Sequence, residues 1–423
     1  MKNMEKIIIN GGRRLTGEVT ITGAKNAALG ILPATVLASD KFLIENLPDI
    51  QDIRNYISIM KKLGAKIRKT SKGLSIDTTA IADCTSDEIA DESTKMRASY
   101  YLLGALLGRN GFVELPPPGG CDIGARPIDQ HIKGFEALGA KVDVKGSIKI
   151  ESPNGLNGTN IYMDVVSVGA TINIMLAAVK AKGLTVIENA AKEPHVVDIA
   201  NFLNLMGASV KGAGTDVIRI MGVEELHGCE YSVVPDQITA GTYMIAAAAT
   251  KGDVLIKNVI PPHLDSITAK LIEMGADVSV DEDDNIRVVG REYIKPCNVK
   301  TLPYPGFPTD LQQPMGLIMC LANGVSSITE SIFENRFRYV TELQKMGANV
   351  RVNGNTAVFT GPSELYGTKI QATDLRAGAA MILAGLVAKG TTEITNLKYI
   401  DRGYENIEEN FRNLGADIKR VDS

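Results

Sequence analysis

A five-residue motif recurs six times in this 423-residue chain: LGAKI at 63–67, LGAKV at 138–142, MGASV at 206–210, MGADV at 274–278, MGANV at 346–350 and LGADI at 414–418. Its glycines stand 75, 68, 68, 72 and 68 residues apart. Self-similarity at so steady a period means that one supersecondary unit has been copied six times along the chain. Ahead of the motif lie stretches such as IRNYISIMKKLGA and IDQHIKGFEALGA, with apolar residues at three- and four-residue intervals. That spacing predicts an amphipathic helix. The glycine then supplies the left-handed residue that ends the helix, and the β-branched residue beyond it opens a strand.

Each repeat holds an earlier helix of different character. The six are GAKNAALGILPATVLA, MRASYYLLGALLGR, GATINIMLAAVKAK, AGTYMIAAAATKG, LQQPMGLIMCLANG and LRAGAAMILAGLVAKG. Apolar on nearly every side and rich in small residues, such helices are buried and admit close neighbours. Between the two helices lies a short β-branched run: KFLIENL, LTVIENA, DVLIKNV, SSITESI, TTEITNL. One repeat therefore reads as buried helix, strand, amphipathic helix, strand. Six of them predict an α/β chain of two domains, three repeats per domain. The segment KIIINGGRRLTGEVTI precedes the first repeat and is free to pair with the last. The chain then crosses twice, giving a discontinuous domain I of 1–22 plus 233–423 and a domain II of 23–232.

Composition narrows the function. A net charge of −4 gives no global basic field for nucleic acid or an anionic membrane, so an anion site must be a local cluster of Lys and Arg. The opening MKNMEKIIINGGRR lacks the apolar core of a signal peptide. Runs such as MILAGLVA are too short to span a bilayer. Five cysteines without CxxC spacing and four scattered histidines point to a reducing cytoplasm and away from a disulfide framework or zinc site.

The polar residues that need explaining fall at two recurring places. At the start of the buried helices sit Lys25 and Asn26, Arg97, Ser167, Asp310, and Asp374 with Arg376. In the loops entering the amphipathic helices sit Cys121 and Arg126, Arg336 and Arg402. Any single arginine here more often caps a helix or pairs on the surface. Six cations at equivalent places, all near helix N-termini, predict instead a polyanion site in a cleft between the domains. Cys121 lies in PPPGGCDIGARP, a loop with no regular packing, where Arg126 and a helix start favour the thiolate. Pro127 suits the first helical position.

At these residues the chain resembles the enolpyruvyl transferase family, in the branch whose acceptor is UDP-N-acetylglucosamine. The resemblance runs over essentially the whole chain. Its most specific pieces are GAKNAALGILPATVLA, KMRASYYLLGALL, PGGCDIGARPID, SVGATINIM, FPTDLQ, FENRF, ATDLRAGA and IDRGYENIE. It implies a two-domain inside-out α/β barrel and transfer of the enolpyruvyl group from phosphoenolpyruvate to a sugar hydroxyl, with no metal or organic cofactor. It further implies that Lys25 and Asn26 hold phosphoenolpyruvate and that Arg126 and Arg402 share its phosphate. By the same resemblance Arg336 and Arg376, with Asp374, would complete that pocket. Asp310 would take the hydroxyl proton, and Cys121 would give a proton to the enol and could trap it covalently. Arg97, Arg126, Pro127, Ile128, Asp129, Gln130, Val165, Val166, Ser167, Val168 and Ile332 would line the sugar-nucleotide site. Two positions depart from the pattern: Gln130 stands where members often carry Leu, and Val165 where many carry a basic residue.

Overall fold

The computed structural model describes residues 5–81, 89, 92–117, 119 and 123–422. By contacts the chain divides into two compact units. Unit 1 is Met1–Thr22, Cys121–Ala125 and Pro235–Ser423; unit 2 is Gly23–Gly120 and Arg126–Val234. The second passage between them falls at 234/235 rather than 232/233, and the short piece 121–125 groups with unit 1.

The motif glycines do what their position predicts. Gly64, Gly139, Gly207, Gly275, Gly347 and Gly415 have φ of 103°, 94°, 100°, 98°, 105° and 94°, the left-handed region that a β-carbon penalises. Each ends its amphipathic helix there. In the first repeat the helix is Gln51–Lys62, its buried stripe Ile53, Tyr56, Ile59 and Met60. The following strand is longer than the sequence reading allows for. It is a hairpin, Lys66–Lys69 with Leu74–Asp77, antiparallel to Lys41–Glu45. Alternation along KFLIE turns Phe42 and Ile44 inward, and Phe42 lies opposite Ile76.

Among the described residues there are six sheets, three to a unit, five of four strands and one of three. Four of the five four-stranded ones each gain a member that the reading missed, a short strand lying parallel to the one after the buried helix. Asn160–Tyr162, Glu230–Ser232, Asn298–Lys300 and Lys369–Gln371 are three residues each, too short to show a period of two. Strand Glu5–Asn10 pairs antiparallel with both Thr391–Thr395 and Asp417–Asp422, joining the first residues to the last repeat.

The apolar helices are buried as expected. All twelve residues from Leu375 to Leu386 are buried, as are Ala170–Ala178. In unit 2, helix Tyr101–Asn110 lies so close to Val168–Ala178 that Gly104 N donates to Asn173 Oδ1 at 2.9 Å. A β-carbon on Gly104 would stand 2.2 Å from the Asn173 carbonyl oxygen. Alanine gains about 1 kcal/mol of helix propensity over glycine. Forced contact with an immovable backbone atom costs about 1–3 kcal/mol and breaks this hydrogen bond as well. Gly104→Ala is therefore expected to lower unfolding free energy by about 1–2 kcal/mol in chemical denaturation, by overpacking.

Asp198 anchors the end of unit 2. From helix Pro194–Leu205 its carboxylate accepts from Tyr231 Oη at 2.5 Å and Val234 N at 3.4 Å. Burial pushes this carboxyl up to about 6. The folded state thus holds the proton more tightly than the unfolded chain, and stability falls as pH rises through that value. Between about pH 5 and pH 7 the native protein is expected to lose about 1 kcal/mol relative to Asp198→Asn, measured by denaturation at each pH.

Candidate active site

In unit 1 three residues from two successive repeats meet, Asp310 and Arg336 from one and Arg376 from the next. Asp310 lies in the turn Thr309–Leu311 that leads into helix Gln312–Leu321. Arg336 Nη2 donates to Asp310 Oδ1 at 2.7 Å, and Arg376 Nε to Asp310 Oδ2 at 3.1 Å. Both arginines are buried, at 4% and 2% exposure, while the Asp310 side chain keeps 25%. Each guanidinium covers a ring, Arg336 over Phe333 at 5.2 Å and Arg376 over Tyr404 at 5.3 Å. Burial opposes the charge on Arg376, but Tyr404 and Asp310 outweigh it and hold its pKa above the usual arginine value.

Arg336 Nε and Arg376 Nη1 are buried donors with no hydrogen-bond partner among the described residues. An unmet buried donor costs about 1–3 kcal/mol. Two of them on adjoining cations are what an anionic ligand would satisfy. Asp374 is committed to the fold: it caps helix Leu375–Val387, accepting from Arg376 N and Ala377 N at 3.0 Å each. Arg402 is part-exposed in the turn just before Tyr404, and Ile332 N donates to Glu330 Oε1 at 2.9 Å.

Cys121 lies outside the described residues. Beyond it, Ile123 is buried and its carbonyl accepts from Asn335 N at 3.1 Å, one residue before Arg336. Gly124, at φ 124°, sits so close that a β-carbon would meet Glu334 N at 3.0 Å.

In unit 2, Lys25 opens helix Lys25–Ala34 with only 7% exposure, and its Nζ lies 2.9 Å from Asp52 Oδ2. Asn26 follows, half-buried. Arg97 donates from Nη2 to the Arg126 carbonyl and covers the Tyr100 ring at 5.1 Å. Tyr100 meets the buried His131 ring edge-on at 6.2 Å. Burial, helped by Arg97, pulls His131 down to about 4, so the imidazole is neutral at pH 7.

The two departures from the family pattern turn out to be neighbours. Gln130 is buried and turned inward: Nε2 donates to Asp129 Oδ2 at 2.8 Å and Asp164 Oδ2 at 3.2 Å, while Oε1 accepts from Asp164 N at 2.9 Å. Lys133 completes the clamp on Asp164 at 2.7 Å. Next along the chain, Val165 and Val166 are exposed at 59% and 37%. Pro127 and Asp129 are exposed, and Ile128 and Val168 are half-buried. Ser167 caps helix Val168–Ala178, its Oγ accepting from Ala170 N at 3.3 Å.

The sequence reading missed the groups that hold these side chains in place. Asp52 shares a packed stripe with Ile53 and Tyr56, and a carboxylate there was the available signal. Phe333, Tyr404 and Tyr100 gave none, since aromatics at helical spacing read first as core.

The model of the EPSP synthase family (3-phosphoshikimate 1-carboxyvinyltransferase) matches residues 9–411. The chain belongs to this family. Among its relatives, UDP-N-acetylglucosamine 1-carboxyvinyltransferase 2 of Clostridium acetobutylicum is 57% identical over 418 residues, 99% of each chain. UDP-N-acetylglucosamine 1-carboxyvinyltransferase of Clostridium botulinum is 58% identical over 420 residues, 99% of this chain and 100% of that one. The crystal structure of the enolpyruvyl transferase NikO from Streptomyces tendae superposes with a TM-score of 0.88 at 26% identity, covering 100% of both chains. EPSP synthase from Acinetobacter baumannii, at 19% identity and TM-score 0.77 over 99% of this chain and 100% of that one, shares the fold. The mixed α/β architecture is thus that of the enolpyruvyl transferases.

Proposed function

We propose that this protein transfers the enolpyruvyl group of phosphoenolpyruvate to the 3-hydroxyl of UDP-N-acetylglucosamine, releasing phosphate, in the cytoplasm and as the first committed step of peptidoglycan precursor synthesis. The observation that carries this reading is identity of 57–58% over 99% of the chain to relatives bearing that name. The two units act as domains of three repeats each, the inside-out α/β barrel arrangement that the family resemblance implies.

The reaction is an addition followed by an elimination. The sugar oxygen attacks C2 of the enol while Asp310 takes its proton and the Cys121 thiol delivers one to C3, making a tetrahedral intermediate. Loss of phosphate from C2 and of a proton from C3 then restores the double bond. Acid and base work on opposite sides of the reacting atoms. Lys25, Asn26, Arg126 and Arg402 hold phosphoenolpyruvate, and Arg336 and Arg376 add to its neutralisation. Their forks suit phosphate and carboxylate alike. Arg97, residues 126–130, residues 165–168 and Ile332 take the sugar nucleotide. Gln130 acts there through Asp164 and the exposed valines rather than by its own amide.

Phosphate release from phosphoenolpyruvate tests the reading, run in parallel with UDP-N-acetylglucosamine and with shikimate 3-phosphate. Release with the sugar nucleotide alone is expected; release with shikimate 3-phosphate alone would transfer the protein to the other branch. Cys121→Ser is expected to lose about 100-fold or more in turnover while binding the sugar nucleotide normally by calorimetry.

A further inference from the structure

The repeat that carries Asp310 breaks a rule that four others keep. In four repeats the strand after the buried helix runs into an asparagine with left-handed backbone: Asn46, Asn189, Asn258 and Asn396, at φ 56°, 59°, 55° and 63°. Their side chains do one job. Nδ2 of the first three donates to the carbonyl just past the end of the parallel neighbouring strand: Val233 at 2.7 Å, Met163 at 2.9 Å and Ile21 at 2.6 Å. Asn396 Nδ2 donates to Oε1 of Gln371, the last residue of its neighbour, at 3.1 Å. Aligned with FLIEN, TVIEN, VLIKN and TEITN, the repeat that carries Asp310 reads SSITE, and Glu330 takes the asparagine's place.

A carboxylate has no proton to give, so the neighbour gives instead. Thr301, just past strand Asn298–Lys300, donates from Oγ1 to Glu330 Oε1 at 2.7 Å. Oε1 also accepts from Ile332 N at 2.9 Å and Phe333 N at 3.3 Å, and Oε2 accepts from Thr309 Oγ1 at 2.9 Å. Glu330 is 2% exposed and its four donors are all neutral. Burying a charge among neutral dipoles is costly, and asparagine joins the same two strands elsewhere without that cost. What the carboxylate adds is reach. Its second oxygen holds the residue before Asp310. Its first holds the amides that begin the loop to Arg336, which itself bonds Asp310 at 2.7 Å. Segments 309–310 and 330–336 are thereby tied by two rungs, one at Glu330 and one at Asp310.

We propose that Glu330 is a positioning residue of the active site, placing Asp310 through Thr309 and the Ile332–Arg336 loop through two backbone amides. The inference rests on the functional reading above, in which Asp310 takes the sugar proton. Three variants test it in the phosphate-release assay, with melting temperature and calorimetric binding of UDP-N-acetylglucosamine measured on the same preparations. Glu330→Asn restores the residue of the other repeats but falls a methylene short of Thr309. It is expected to keep its fold, lose about 100-fold in kcat and raise the sugar-nucleotide KM several-fold. Thr309→Val cuts only the bond between Glu330 and the residue before Asp310, so kcat falls about tenfold while that KM stays within about twofold. Glu330→Gln, which keeps the length and can accept a bond from Thr309 or donate one to it, falls between wild type and Glu330→Asn.

Wild-type kcat per folded molecule in Glu330→Asn and Thr309→Val overturns the inference, as does a loss that only tracks the fraction unfolded. If Glu330→Asn does not fold, Thr309→Val decides alone, because it leaves the buried carboxylate with its other three donors. A wild-type protein that releases no phosphate overturns the functional reading and this inference with it. An active wild type with unchanged variants overturns the inference only.

Discussion

Asp310→Asn is expected to lower turnover by about 1000-fold while the sugar nucleotide still binds within a few-fold of its normal affinity. The amide occupies the same space but cannot take a proton. It also leaves Arg336 and Arg376, both buried, without the carboxylate that each now bonds. Breaking a fully buried pair costs about 3–5 kcal/mol, and Asp310 keeps a quarter of its side chain in solvent, so a loss of about 2 kcal/mol is expected here. Kinetics and denaturation on one preparation separate the two effects. Turnover within tenfold of wild type would remove Asp310 from the role of base.

The second large effect lies in unit 2. Lys25 and Asp52 form an ion pair at 2.9 Å with 7% and 2% exposure. Asp52→Ala strands a lysine charge inside the fold and is expected to cost about 3 kcal/mol of stability. Lys25→Met combined with Asp52→Leu removes both charges and fills the space, and apolar replacement of a buried pair is often neutral or better. The double variant is therefore expected to regain the stability and still turn over at least about 100-fold slower, because the cation proposed to hold phosphoenolpyruvate is gone. Denaturation midpoints and phosphate release check the two halves of this expectation. A stable double variant with normal turnover would make the pair purely structural.

Both arguments depend on partners that the sequence conceals. The repeat was open to reading because its signal is local: a helix stripe, then a glycine at φ near 100°, six times over. Lys25, Asp310, Arg336 and Arg376 stood out because charged residues beside apolar helices are conspicuous. Asp52 did not, since it sits 27 residues from Lys25 on another helix and only packing brings them together. The three-residue strands were hidden for a related reason: they exist because a longer strand offers them an edge, not because their residues prefer one. The family resemblance alone puts Gln130 among the sugar-nucleotide residues. Its burial and its bonds to Asp164 follow from the approach of a segment 34 residues away.

Strand Glu5–Asn10, flanked by Thr391–Thr395 and Asp417–Asp422, has a consequence for how the molecule is made. Residues 23–234 are almost a continuous block and can settle as soon as the ribosome releases them. The opening strand must wait until some 400 further residues have been added, roughly 20–80 seconds at about 5–20 residues per second. Throughout that interval both edges of IIIN are unpaired, a template for any passing strand. Nascent chains stalled before residue 391 should therefore bind holdase chaperones through their first ten residues, and removal of 417–422 should leave half of that liability in the finished protein.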